Sequence, residues 1–218
     1  MTSPKTNRLS VLFCFFLSVC FFLLLLVGCN KKETAEKNKQ TSSNNTDPIA
    51  RQFELDVNHY INSYNNMHWD EVIETTFPPM FGNKTKEDLM ADYVKMAITG
   101  MNRQTDIIKI EKITPVVEDA GNLYAKIYFG ANVQMNLLGT ALENKDLIKY
   151  NLELSYDTEE VLFDESKSAL TIDNAYCSML AVSKKGSNIW KYIEIDHQKA
   201  PYLTQIIPID VLKTLNNY

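Results

Sequence analysis

Glycine and proline are scarce in this chain, 7 of each in 218 residues, and cysteine occurs four times. That excludes a collagen repeat, a wholly disordered chain and a disulfide-built scaffold. Positive charge is not in excess, since 22 Lys+Arg stand against 27 Asp+Glu, a formal net charge of −5. A protein that grips phosphate backbones needs a basic face, so no nucleic-acid partner is expected. Histidine is rarer still, with only His59, His68 and His197, none of them in a metal-ligand spacing such as H-x-H or H-E-x-x-H. G-x-S-x-G, phosphate loops and dinucleotide fingerprints are missing, and no repeat with a period of roughly 20–50 residues is visible. No metal and no cofactor are expected. What is present is a hydrophobic fraction of 45%, enough for one sizeable core in a chain of one domain's length.

The hydrophobic residues are unevenly spread. Residues 11–27 read VLFCFFLSVCFFLLLLV, with Ser18 the one clearly polar member, behind a positive flank of Lys5 and Arg8. The run is slightly long for a signal-peptide apolar region, about 7–15 residues. It sits at the short end for a membrane span, about 17–25. The residues that follow decide between the two. Leu26-Val27-Gly28-Cys29 resembles at every position the lipobox of a bacterial lipoprotein precursor, an apolar residue and two small or modest ones before a cysteine. Small residues let a peptidase reach the bond, and the thiol accepts a diacylglycerol. The resemblance implies cleavage between Gly28 and Cys29, with S-lipidation and N-acylation of Cys29. An uncleaved N-terminal anchor is the alternative, and it too would leave the domain tethered to a membrane at its extracytoplasmic face.

This reading divides the chain into a signal peptide (1–28), the lipidated Cys29 with a tether (29–46), and a single domain (47–218). The mature chain has 20 basic and 27 acidic residues, a formal charge of −7, and its one cysteine besides Cys29 is Cys177. An internal disulfide is therefore impossible, and the domain must rely on its core. Cys177 stands in a strand-like run and reads as a buried structural thiol. Residues 30–46 read NKKETAEKNKQTSSNNT, too polar to offset their ordering entropy. The 17 residues give a reach of about 20–25 Å. Asn30 stands where inner-membrane retention in enteric bacteria uses Asp. By that resemblance the outer membrane is favoured over the inner, held by acyl chains that each add about 0.8 kcal/mol per buried methylene.

From residue 47 onward the pattern is first helical. Phe53, Val57, Tyr60, Ile61 and Tyr64 form one stripe, and Asp47-Pro48 fits an N-cap with proline at the first helical position. A short helix from Trp69 or Asp70 to Phe77 should stop at Pro78-Pro79. Thr85 and Asp88 form a capping box before Leu89, Met90, Tyr93, Val94, Ala97 and Met101 at helical spacing. The period then changes to two. Leu123 to Met135 alternate cleanly, a long strand with one buried face. Another strand is expected around Ile108, Ile110 and Val116, and further strands at 151–156, 161–172, 175–183 and 189–195, with a hairpin turn at Gly186. Residues 137–149 fit a loop, a short helix or a strand extension. A short helix should close the chain at 209–215. Helices first and strands afterwards make an α+β domain, with N-terminal helices packed on one face of a curved antiparallel sheet.

The order of elements, the phrase Met67-His68-Trp69-Asp70, Phe77-Pro78, and the closing Asn188-Ile189-Trp190-Lys191-Tyr192-Ile193 together resemble the nuclear-transport-factor-two-like (cystatin-like) cone. They are most similar to lipoproteins of that shape in Bacteroidota. The resemblance implies a conical pocket between helices and sheet, for which Tyr60, Tyr64, Trp69, Phe77 and Tyr93 are the candidate lining residues. It also implies a tendency to form a homodimer through the open sheet face, where Tyr124, Lys126 and Tyr128 make an outward row.

Fold alone does not give function. An isomerase-type site needs an Asp base opposite a Tyr and a neutral Asp, and no carboxylate singles itself out, with Asp56 placed on a solvated helix face and Asp70 as an N-cap. No catalytic residue is therefore assigned. The expectation is a membrane-anchored envelope lipoprotein whose domain is a non-catalytic module for a small apolar ligand or an envelope protein. An isomerase or cyclase in the same cone, and a structural subunit of an envelope complex, are the alternatives.

Overall fold

Asp47 opens the first helix, α1 (Pro48–Asn65), its carboxylate accepting from the Ile49 amide at 2.9 Å while Pro48 takes a position that needs no N–H. A computed structural model describes residues 47–218; the signal peptide, the lipobox and the tether lie outside the described residues. The α1 stripe buries Phe53, Val57, Tyr60 and Ile61. Helix α2 (Trp69–Thr75) follows, then a 3-10 turn at Pro78–Phe81. Helix α3 (Lys86–Ile98) starts on the Thr85/Asp88 capping box, in which each residue's side chain accepts from the other's amide. Met101, placed by spacing on that helix, instead begins the first strand. Gly100 turns the chain with φ +88°, and a Cβ there would lie 2.1 Å from the Leu138 carbonyl oxygen. Only glycine fits that approach.

The strands are β1 (Met101–Ile113), β2 (Val117–Asp119), β3 (Asn122–Leu137), β4 (Leu162–Asp164), β5 (Ala169–Lys184) and β6 (Lys191–Ile195). All pair antiparallel. β1 and β2 flank one edge of β3, β5 flanks the other, and β4 and β6 sit at opposite ends of the far edge of β5. Bulges interrupt β1 near Ile108 and Glu111 and β5 near Asp173 and Asn174, and bulges increase local bending and twist. The sheet does not close into a barrel, and the architecture is the expected α+β class with the character of a cone.

The inner face of the sheet carries Ala125, Ile127, Phe129 and Val133 of β3 and Leu170, Ile172 and Met179 of β5, packed with α1 and α2. Between β3 and β4 the chain forms α4 (Thr140–Glu143) and α5 (Lys145–Tyr156). The outer face carries Tyr124, Leu180, Val182 and Ile193, covered by α6 (Ala200–Ile206) and α7 (Ile209–Asn216). Helices thus occupy both faces, not one. Tyr124 is 4% exposed, and Lys126 donates to Asn216 of α7 at 2.9 Å, so the outward row expected for a dimer is closed at its upper end.

Residues 137–149 resolve into α4 (Thr140–Glu143) and the start of α5 (Lys145–Tyr156). The strand expected at 151–156 is the second half of α5. Leu152, Leu154 and Tyr156 mimic a strand alternation, yet Ile148, Leu152 and Tyr156 face the core at helical spacing while Leu154 is left exposed. Asp157, with φ +50°, ends the helix. The span 161–172 is broken by a turn at Ser168 (φ +50°) into β4 and the start of β5, and β5 then continues through the second expected strand.

Candidate functional site

Strand alternation turns Arg103 on β1 and Glu194 on β6 toward the inside of the cone. β1 and β6 lie at opposite edges of the sheet, and curvature brings these residues, 91 positions apart, into a two-pronged contact. Arg103 Nη1 and Nη2 donate to Glu194 Oε1 and Oε2 at 2.6 and 3.0 Å. The side chains are 12% and 18% exposed. The Tyr64 ring lies over the guanidinium, 4.1 Å from Cζ to centroid, a cation–π contact that strengthens as water is withdrawn.

Burial pushes the Glu194 carboxyl upward, but Arg103, helped by Lys199, outweighs it and holds the group ionised, below its ordinary range. Arg103 is protonated: burial opposes its charge, and Glu194 more than compensates. The pair neutralises itself. Arg103 Nε is buried without a hydrogen-bond partner among the described residues.

Aromatic side chains surround the pair. Trp69 and Tyr93 stack at 4.6 Å and 6°, and Tyr64 meets both edge-on at 5.2 and 6.3 Å. Burial, then the charge of Glu194, raises the pKa of Tyr60. Burial also pushes Tyr93 up to about 12 and raises Tyr156 above its ordinary value. All are neutral phenols at physiological pH. Of the five candidate lining residues, Tyr64 faces the cavity. Tyr60, Trp69 and Tyr93 gather behind it as part of the core, and Phe77 packs instead with the outer cluster, its amide donating to the Tyr192 carbonyl at 2.9 Å.

The cavity has a volume of about 630 Å³. Its inner end is formed by Arg103, Glu194, Tyr64, Met135, Leu152 and Tyr156, and its outer end by Tyr128, Tyr176 and the apolar side of α7. Along β5, pairing with β4 ends at Thr171 and pairing with β6 begins at Ser178. Among the described residues the intervening edge has no strand partner, and the two ends communicate past it.

No known family, curated protein or solved structure matches the chain.

The remaining reactive groups are placed as follows. Cys177 is 8% exposed, and burial, with the charge of Glu194, pushes its thiol up to about 12, so it is neutral and a poor nucleophile. His59 and His68 lie on the surface beside Glu71, and His197 sits exposed at the cavity rim. Asp56 is not simply solvated: it accepts from the Tyr192 hydroxyl and, at 2.6 Å, from Gln52. Asp70 is not the N-cap, which is His68; it pairs instead with Lys86 at 2.9 Å. Among the described residues no group of His, Cys, Asp and Glu is placed to hold a metal ion. Sequence reasoning passed over Arg103 and Glu194. One signal existed: in Lys191–Ile195 strand alternation puts Glu194 on the same face as the aromatic Tyr192, which is buried while Glu194 is half-buried.

Proposed function

We propose that this chain is a membrane-anchored envelope lipoprotein whose domain is a non-catalytic binding module, holding a small, largely apolar ligand in the cavity at the Arg103–Glu194 pair. The anchoring rests on the Leu26–Cys29 lipobox and the apolar run before it. The observation that carries the binding reading is the self-neutralised ion pair at the inner end of a 630 Å³ cavity. Both Glu194 oxygens are engaged and the group is held ionised, so it is neither a proton donor nor a free base. Leu152, Met135, Leu180, Leu203 and Leu215 among the lining residues suit an apolar body, and the pair offers a fixed polar end. Pockets of this make-up are the usual seats of small ligands.

One observation favours a catalytic second reading. A carboxylate does lie inside the cone among tyrosines, as an isomerase-type site would require. The Arg103 contact argues against it, because that chemistry needs a carboxyl kept neutral by an apolar site, whereas Glu194 is pushed the other way.

The test fills the cavity. The mature chain, made soluble by Cys29→Ser, should bind a fluorescent probe of apolar sites such as anilinonaphthalene sulfonate, an aromatic body with one charged end, with enhanced emission. Leu152→Trp should abolish that enhancement while the near-ultraviolet circular dichroism still reports a folded domain. Undiminished emission in a folded Leu152→Trp variant would place the probe elsewhere and contradict the cavity as the binding site.

A further inference from the structure

Below α6 and α7 the outer face of the sheet is uncovered. Register sets Asn102 opposite Asn136, Gln104 opposite Gln134, and Asp106 opposite Asn132, while β5 sets Tyr176 opposite Gly130. Directly opposed residues of an antiparallel pair share a face. Read from residue 136 back to 128, this face of β3 carries three amides, a glycine and a phenol, a strip about 26 Å long at the strand rise.

The strip has a definite chemistry. Its amides are oriented by one another: Gln134 Nε2 donates to Asn136 Oδ1 at 2.6 Å, and Gln104 Nε2 to Asn102 Oδ1 at 3.3 Å. Gln104 Nε2 also donates to the Asn65 carbonyl at 3.0 Å and Asn132 Oδ1 accepts from the Asn174 amide at 3.0 Å, while Asn132, Gln134 and Asn136 keep further donors or acceptors to offer. Tyr176 is 61% exposed and stacks on Tyr128 at 5.6 Å and 24°, with Lys126 Nζ 4.7 Å over the Tyr128 ring. Gly130 is buried: a Cβ there would press on Asn174 Oδ1 at 3.2 Å and Glu111 Oε1 at 3.4 Å, so polar side chains close over the backbone beside the ring pair.

Charge and apolarity narrow the occupant. Lys109 pairs with Glu111 at 3.4 Å, while Lys112 and Lys126 stand over the Tyr128 ring at 5.8 and 4.7 Å; with Asp106 on the same face, these three basic and two acidic residues leave one net positive charge, too weak a field to select an anion. Across β1, β3 and β5 the exposed large apolar side chains are Ile108 and Tyr176. A second copy of the chain or a lipid surface would need an apolar centre that is not there. A neutral sugar chain needs what is there: hydroxyls at each ring edge take amide donors and acceptors, and the C–H face of a pyranose lies against an aromatic ring.

We propose that the uncovered outer face of the sheet binds a neutral oligosaccharide strand, laid along β3 from Asn136 to Tyr128 with a sugar ring stacked at Tyr176. This site is distinct from the ion-pair end of the cavity, whose outer mouth it adjoins at the two tyrosines.

The test is calorimetric titration of the full chain, extracted in a sugar-free detergent, with four neutral hexasaccharides: cello-, xylo-, malto- and chitohexaose. At least one should bind, and Tyr176→Ala and Gln134→Ala should each weaken it about tenfold, the loss of one good contact. Tyr150→Ala, which removes an exposed tyrosine from α5, should leave the affinity unchanged. The proposal is overturned if none of the four binds, if binding survives Tyr176→Ala and Gln134→Ala, or if sedimentation shows a dimer that Tyr176→Ala dissociates.

Discussion

Arg103 and Glu194 are the residues on which the inner chamber depends. A buried ion pair is weak evidence of stability, because desolvation offsets attraction, but removal of one partner strands the other. Arg103→Ala should therefore destabilise the domain by about 3–5 kcal/mol, whereas Arg103→Met with Glu194→Leu should recover most of that loss. Denaturant melts of the parent chain and the two variants check this, and equal losses in the single and double variants would contradict it. The pair also sets an acid limb. The folded pKa of Glu194 lies below the ordinary 4.5, so its stabilisation is complete above that pH and is lost as pH falls through the lower, folded value. Glu71, Asp88 and Asp164 share the direction, so the readout is a difference. Below pH 4.5, Glu194→Gln should lose stability less steeply with falling pH than the parent chain, as thermal melts would show.

At the scale of elements, one glycine separates the helical third from the sheet. Gly100 holds φ +88° with the Leu138 carbonyl against its Cα, and the Leu138 amide donates to the Gly100 carbonyl at 2.9 Å. Gly100→Ala should cost more than the roughly 1–3 kcal/mol of an ordinary strained backbone position, because backbone must move as well. A melting temperature equal to the parent's would refute this. The helices and the long strand were legible in sequence wherever a full period fitted. α1 shows three turns of one stripe with a cap, and β3 shows an uninterrupted alternation. Residues 151–156 were not legible, since six residues satisfy either period and only the contacts of Ile148 choose. α6 left no distinctive mark, because a two-turn helix offers too few apolar positions to set a phase, whereas α7 was legible as the closing helix after Pro208. The aromatic wall of Tyr60, Tyr64, Trp69 and Tyr93 could be grouped from helix stripes. Arg103 and Glu194 could not be paired, because the curvature that joins β1 to β6 arises from bulges spread over two strands.

At the scale of the whole molecule, the anchor proposed at residues 26–29 would hold at a membrane a domain whose interior is a neutralised chamber. The sheet carries helices on both faces, and the proposed binding role rests on the chamber between the inner face and these helices. The measurement that tests this most directly is the native mass of the protein, extracted gently from its own membranes. The account predicts the triacylated chain from Cys29 to Tyr218 together with a retained small molecule, lost in Leu152→Trp. A mass that still includes residues 1–28, or a lipidated chain that never carries a ligand, would contradict it.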